Sequence, residues 1–145
     1  KGEASEKRGV IKSGFKSFLS AKIMEFMIKE RLVESELILC GMYISDLLTS
    51  LFRYSPEHWI AVDYLIENNK YGNPSAIQQG ANVCFLICSI FPEKRSRSLG
   101  IKQYQEFGVG FYYQFYLRTE KPIGFYMSNN FSIMTDVARE CINNI

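Results

Sequence analysis

Most residue patterns that announce a chemistry are missing from this chain. It has one histidine, His58, so a histidine-rich metal site is not available to it. No Cys-x-x-Cys pair, Gly-x-Ser-x-Gly elbow, Walker loop or His-Glu-x-x-His helix occurs. Those absences take away the usual signatures of zinc modules, serine hydrolases, nucleotide triphosphatases and zinc proteases. Neither sign of charge dominates. Seventeen Lys and Arg stand against fifteen Asp and Glu, and a net charge of +2 selects neither nucleic acid nor an acidic membrane as partner. No uncharged apolar run reaches the roughly twenty residues that a membrane helix needs. The first residues, Lys1 to Arg8, are polar and lack the apolar core of a signal peptide. Strand-like alternation, internal repeats and an interdomain linker are also missing.

What is present is a 145-residue chain with 47% hydrophobic residues, the size and composition of one globular domain. Its four cysteines, Cys40, Cys84, Cys88 and Cys141, each sit in an apolar run. A free thiol there acts as a small hydrophobe, so reduced cysteines and a cytoplasmic location are expected.

The most apolar stretch is Gly80 to Pro92, which carries no charge. It reads as a helix buried on most sides, with only Asn82 and Ser89 as polar side chains, and both need hydrogen-bond partners if buried. Asn73-Pro74 opens this helix with a cap and a proline at its first position, and Pro92 stops it. Upstream, Phe15, Phe18, Leu19, Ile23, Phe26 and Met27 fall at helical spacing within Val10 to Val33. Ser35 is the candidate cap of a second helix reaching about Arg53, with the stripe Leu37, Cys40, Ile44, Leu47, Leu48, Leu51. Neither Gly nor Pro marks the break between these two, so one long bent helix is the alternative. Ser55-Pro56-Glu57 gives the clearest helix start in the chain, with Trp59, Val62, Leu65 and Ile66 as the inner face and Gly72 near the end. A polar loop at 93–100 leads to a fifth helix from about Ile101 to Arg118. Residues 123–144 form one helix or two, with Asn129 and Asn130 at the break. The expectation is a flexible tail at 1–9 and a single all-α domain at 10–145. That domain is a compact bundle of five to seven helices around a buried central helix at about 74–91.

Several residues resemble the pattern of an uncharacterised family of bacterial all-helical proteins. They are Ser89-Ile-Phe91-Pro92-Glu93, then Arg95 and Arg97, then Tyr104, Gly108 and Tyr112, with an apolar final helix around Phe125, Met127, Phe131 and Val137. Tyr43-Ile-Ser-Asp-Leu-Leu48 resembles the same family's first internal helix, and the likeness spans roughly Glu36 to Cys141. The extra aromatics Phe111 and Tyr113, with Gly110, depart from the pattern. The resemblance implies a helical fold and no mechanism.

Candidate sites are few. Tyr104, Gly108 and Tyr112 recur at steps of four and so share one helix face. Gly108 and Gly110 inside a helix each cost about 1 kcal/mol relative to Ala, which something must offset. Close packing against the Gly80 to Phe91 helix would do so, and so would a ligand notch walled by tyrosines. The aromatic density from Gly110 to Tyr116 suits a dimer or partner surface. Lys94, Arg95, Arg97 and Lys102 form a basic loop that could hold phosphate or nucleic-acid backbone, the more so if Lys7, Arg8, Lys12 and Lys16 lie beside it. Cys84 and Cys88 share a helix face but lack further ligands, so two core thiols are expected and no metal. His58, beside a helix start, could act as a base, but no nucleophile pattern accompanies it. A helix–turn–helix outline runs from Trp59 through Gly72 into the next helix, but the second helix offers no Lys or Arg outward.

Together these observations point to a non-enzymatic cytoplasmic protein that works by association with itself or with another protein. No catalytic residues, cofactor or metal are assigned, although the motifs weigh against an enzyme without excluding one. The alternative is a small-ligand or nucleic-acid module using the 94–102 loop and the tyrosine-rich helix, through Arg95, Arg97, Tyr104, Gly108 and Tyr112.

Overall fold

The computed structural model describes the backbone of residues 2–51 and 53–145, and the side chains of 14–51 and 53–145. Among the described residues the fold is all-α, with seven helices and no strand. They are α1 (Gly2–Lys29), α2 (Ser35–Leu51), α3 (Ala61–Tyr71), α4 (Pro74–Ser89), α5 (Ile101–Thr119), α6 (Pro122–Asn129) and α7 (Phe131–Asn143). A single 3-10 turn, Pro92–Lys94, lies between α4 and α5. No helix among the described residues is long and apolar enough to cross a membrane.

The centre is α4. Gly80, Ala81 and every residue from Val83 to Ser89 are buried. α3, α5 and α7 pack against it, α5 most extensively, while α1 lies on α2 and α7. Both polar side chains of the apolar stretch find partners: Ser89 Oγ donates to the Phe85 carbonyl at 2.7 Å, and Asn82 accepts from two tyrosines. The start of α4 follows its sequence signal. Asn73 Oδ1 accepts from the Ser75 amide at 3.0 Å, with Pro74 in the first turn. At the other end Arg139 of α7 donates to the Cys88 carbonyl at 2.8 Å, covering one of the carbonyls that a helix end leaves open.

Local expectations change in α3 and at Phe18. The helical backbone of α1 spans Gly2–Lys29. α1 and α2 are separate, and the break is made by Arg31 in the left-handed region (φ 61). The Leu32 amide bonds back to the Met27 carbonyl at 2.7 Å, the wide hydrogen bond of a left-handed helix stop. α3 starts at Ala61 and not at Ser55-Pro56, with Ile60 as a cap that supplies no side-chain hydrogen bond. The cause is tertiary. Tyr64 Oη accepts from the His58 amide at 2.8 Å and donates to the His58 carbonyl at 2.9 Å, which holds the connection extended. Trp59 is drawn edge-on to Phe91 at 5.5 Å, with Lys94 over its ring. The inner face of α3 is therefore Ala61, Tyr64 and Asn68, while Val62 and Ile66 are exposed. Gly72 does end α3, in the left-handed conformation (φ 63) that glycine adopts without strain. Phe18 also departs from the expected stripe: it lies at the surface under Lys22, while Leu19, Ile23 and Met27 are fully buried.

Candidate functional site

Tyr104, Gly108 and Tyr112 do share one face of α5, and that face is buried against α4 and α7. A Cβ added at Gly108 would stand 2.5 Å from Phe131 Cε2 and 3.1 Å from Cys84 Cβ. The notch between α4 and α5 is thus filled by the ring of Phe131, which itself packs edge-on against Phe85 (5.7 Å) and tilted against Tyr112 (6.1 Å). Its space is taken by the protein's own core, so the ligand notch expected as one alternative does not exist there.

The two tyrosines do different things. Tyr104 Oη accepts from the Ser96 amide at 2.8 Å and so ties the basic loop to α5. Tyr112 Oη donates to Asn82 Oδ1 at 2.6 Å. Tyr43 of α2 donates to the same oxygen at 2.5 Å and accepts from Gln78 Nε2 at 3.1 Å. Gln78, Tyr43, Asn82 and Tyr112 therefore form one polar chain across α2, α4 and α5. Burial holds the Tyr112 hydroxyl well above the ordinary phenol range, with Tyr43 adding to the shift. The Tyr43 hydroxyl is raised as well, chiefly by burial. Both phenols are donors held in place, not bases.

Arg95 and Arg97 are exposed and border a shallow depression of about 310 Å³ with Pro92 and Glu93. Arg95 Nη1 donates to the Pro92 carbonyl at 2.9 Å, so part of its capacity is used in its own loop. The structure brings the two arginines together and joins them to Tyr104 through Ser96, but it does not unite them with Gly108 or Tyr112. Lys16 pairs with Asp46 at 2.8 Å. The side chains of Lys7, Arg8 and Lys12, proposed as a second half of this patch, lie outside the described residues.

The remaining candidates are structural. All four cysteines are free and buried. Burial pushes the Cys40 thiol up to about 12 and the Cys88 thiol up to about 11, and raises Cys84 and Cys141. Among the described residues no three His, Cys, Asp or Glu side chains gather as a metal cluster. His58 precedes α3 instead of lying in its first turn; its Nε2 is 3.8 Å from Glu57 and its ring is tilted on Tyr64. α4, the second helix of the helix–turn–helix outline, is packed by α3, α5 and α7, and its exposed positions Ser75 and Gln79 carry no positive charge for a nucleic-acid groove.

Comparison with known protein families, curated proteins and solved structures finds no match.

The outer face of α5 therefore has to be judged on its own geometry. Gly110 is exposed, and a Cβ there would meet nothing within 4 Å. Around it stand Phe107, 44% exposed and stacked on Phe111, then Tyr113 (43%) and Leu117 (53%). Tyr113, Tyr116, Phe125 and Tyr126 continue as a chain of ring contacts onto α6, at 6.3, 5.4 and 6.3 Å. The aromatic density of this segment was visible in the sequence. Which rings faced out was not, because α5 is aromatic on nearly every side. Tyr43 and Gln78 of the polar chain, and Arg139, carried no signal, since each acts only through a residue distant in the chain.

Proposed function

We propose that this protein has a non-enzymatic role and works by association with a second copy of itself through the outer face of α5. The observation that carries the proposal is Gly110. A glycine in the middle of a 19-residue helix costs about 1 kcal/mol relative to Ala, and none of the described residues occupies the space of its missing side chain. A helix crossing from outside would use it, because glycine at a crossing point lets two backbones approach closely.

The flanking residues suit a two-fold partner. In such an interface one patch meets its own copy. With the axis at Gly110, Phe107 lies three residues before it and Tyr113 three after, so each would meet the other's aromatic counterpart. Glu106 and Gln114, four residues either side, would pair a carboxylate with an amide. Lys102 and Arg118 would be like charges, but they stand two turns out, where helices crossing at about 50° have diverged. Half-exposed aromatics of this kind are enriched in interface cores. A cytoplasmic location belongs to the same proposal and is supported by the four unpaired thiols.

Sedimentation velocity of the full chain across micromolar concentrations tests it. The expected result is a reversible dimer that Gly110→Leu returns to monomer while thermal stability is kept or raised, since the added side chain meets no protein atom at its Cβ. A monomer at every concentration, or a dimer that survives Gly110→Leu, refutes the proposal.

A further inference from the structure

We propose a second site: the cleft between the end of α2, the connection to α3 and the middle of α4 binds a small uncharged molecule that carries a carbonyl group on an apolar body. The cleft has a volume of about 400 Å³, within the usual size of small-molecule pockets. Its apolar wall is Leu47 and Leu51 of α2 with Val83 and Leu86 of α4. Asn82 also lines it, with its orientation fixed from behind, and so does Tyr64, whose hydroxyl is already engaged by the His58 backbone.

Both phenols, Tyr43 and Tyr112, donate to Asn82 Oδ1, and Gln78 in turn holds Tyr43. Those bonds use the carbonyl end of the amide. Among the described residues Asn82 Nδ2 has no hydrogen-bond partner, so the end left over is a donor. A donor held by buried hydroxyls needs no reorientation when an acceptor arrives, which is how a few polar groups confer specificity in an apolar pocket. The wall recognises the rest of the molecule by contact alone.

Charge sets the class of acceptor. Glu57 borders the cleft, and none of the described lining residues is Lys, Arg or His. A carboxylate or phosphate would meet a like charge and find no cation, so a neutral acceptor such as a carboxamide or ester is selected. This site is separate from the outer face of α5 and does not depend on self-association.

The test is a titration of the ¹⁵N-labelled full chain with hexanamide and, in parallel, with hexanoate, following the Asn82 side-chain amide. Hexanamide should shift that resonance saturably, and hexanoate should bind at least about tenfold more weakly. Gln79→Trp adds bulk at an exposed position on the rim and should abolish the hexanamide shift without altering the melting temperature. Asn82→Leu, if it folds, should remove the preference of the site for the amide over the acid. Three outcomes each overturn the proposal: no saturable shift with hexanamide, equal binding of hexanoate, or binding unchanged by Gln79→Trp.

Discussion

The inner and outer faces of α5 each contain a glycine, and the two glycines lie only two residues apart. At Gly108 the missing side chain is replaced by Phe131, at distances too short for any Cβ, with Cys84 in tight contact beside it. At Gly110 the same omission opens onto empty space. Helix propensity penalises both equally. What differs is whether tertiary contact returns the cost. Inside, a buried ring does so, and the result is the tight α4–α5–α7 junction at the core. Outside, none of the described residues does, and that imbalance is what supports the proposed partner. A glycine pattern therefore has no single meaning: its value depends on what occupies the space it leaves.

The inner half of this contrast breaks most sharply at Phe131. Phe131→Ala should destabilise by about 3–5 kcal/mol, measured by urea unfolding, because the ring is 1% exposed and its removal leaves a cavity. Gly108→Ala alone should cost about 1–3 kcal/mol through overpacking, despite the better helix former. The pair should be strongly non-additive, since deleting the ring frees the space that the new methyl needs. Additive losses would mean that Gly108 and Phe131 do not share one space.

A second measurement probes how dry the inner face is. Tyr112 and Cys84 sit there, and burial raises the pKa of both. In the folded state each is held neutral, whereas the unfolded chain releases its protons at ordinary values, 9.0 for the thiol and 10.0 for the phenol. Their contribution is fully present below those values and is lost progressively as pH rises above them toward the higher folded-state values, by about 1.4 kcal/mol per pH unit for each group. The urea midpoint should therefore fall steeply above pH 9, with the ¹³Cζ resonance of Tyr112 moving to its phenolate position only on unfolding. A Tyr112 phenolate formed ahead of unfolding would show that the inner face is open to water.

The smallest effect belongs to the outer glycine. Gly110→Ala should stabilise the monomer by about 0.5–1 kcal/mol, the helix-propensity gain with no steric loss, and should weaken self-association in the same preparation. Calorimetry at low concentration reads the first and sedimentation the second. Opposite signs in the two measurements would sharpen the contrast between the faces; a loss of stability would break it.

Much of the framework was legible because it rests on local chemistry. Asn73-Pro74 and Gly72 are complete signals in themselves: one supplies a cap oxygen and a preset φ, the other tolerates a left-handed turn. The uncharged run from Gly80 had to be central, since nothing else in the chain could bury it so fully. Ser55-Pro56 was equally explicit and did not start a helix. There the competing forces were Trp59 against Phe91 and the His58 backbone against Tyr64, neither of which a local pattern contains. Arg31 stops α1 in a conformation that carries no residue-type signal.

By itself, then, the sequence determined the helical class, the central position of α4, most helix limits and the shared face of Tyr104, Gly108 and Tyr112, because periodicity and capping act over a few residues. Only the tertiary structure decided which glycine was filled, which rings faced out, and that Asn82 would be gripped by phenols from α2 and α5. Those outcomes depend on which surfaces meet across the bundle. Residues such as Tyr43 and Asn82, 39 positions apart in the chain, acquire a joint role only when packing brings them within a hydrogen bond.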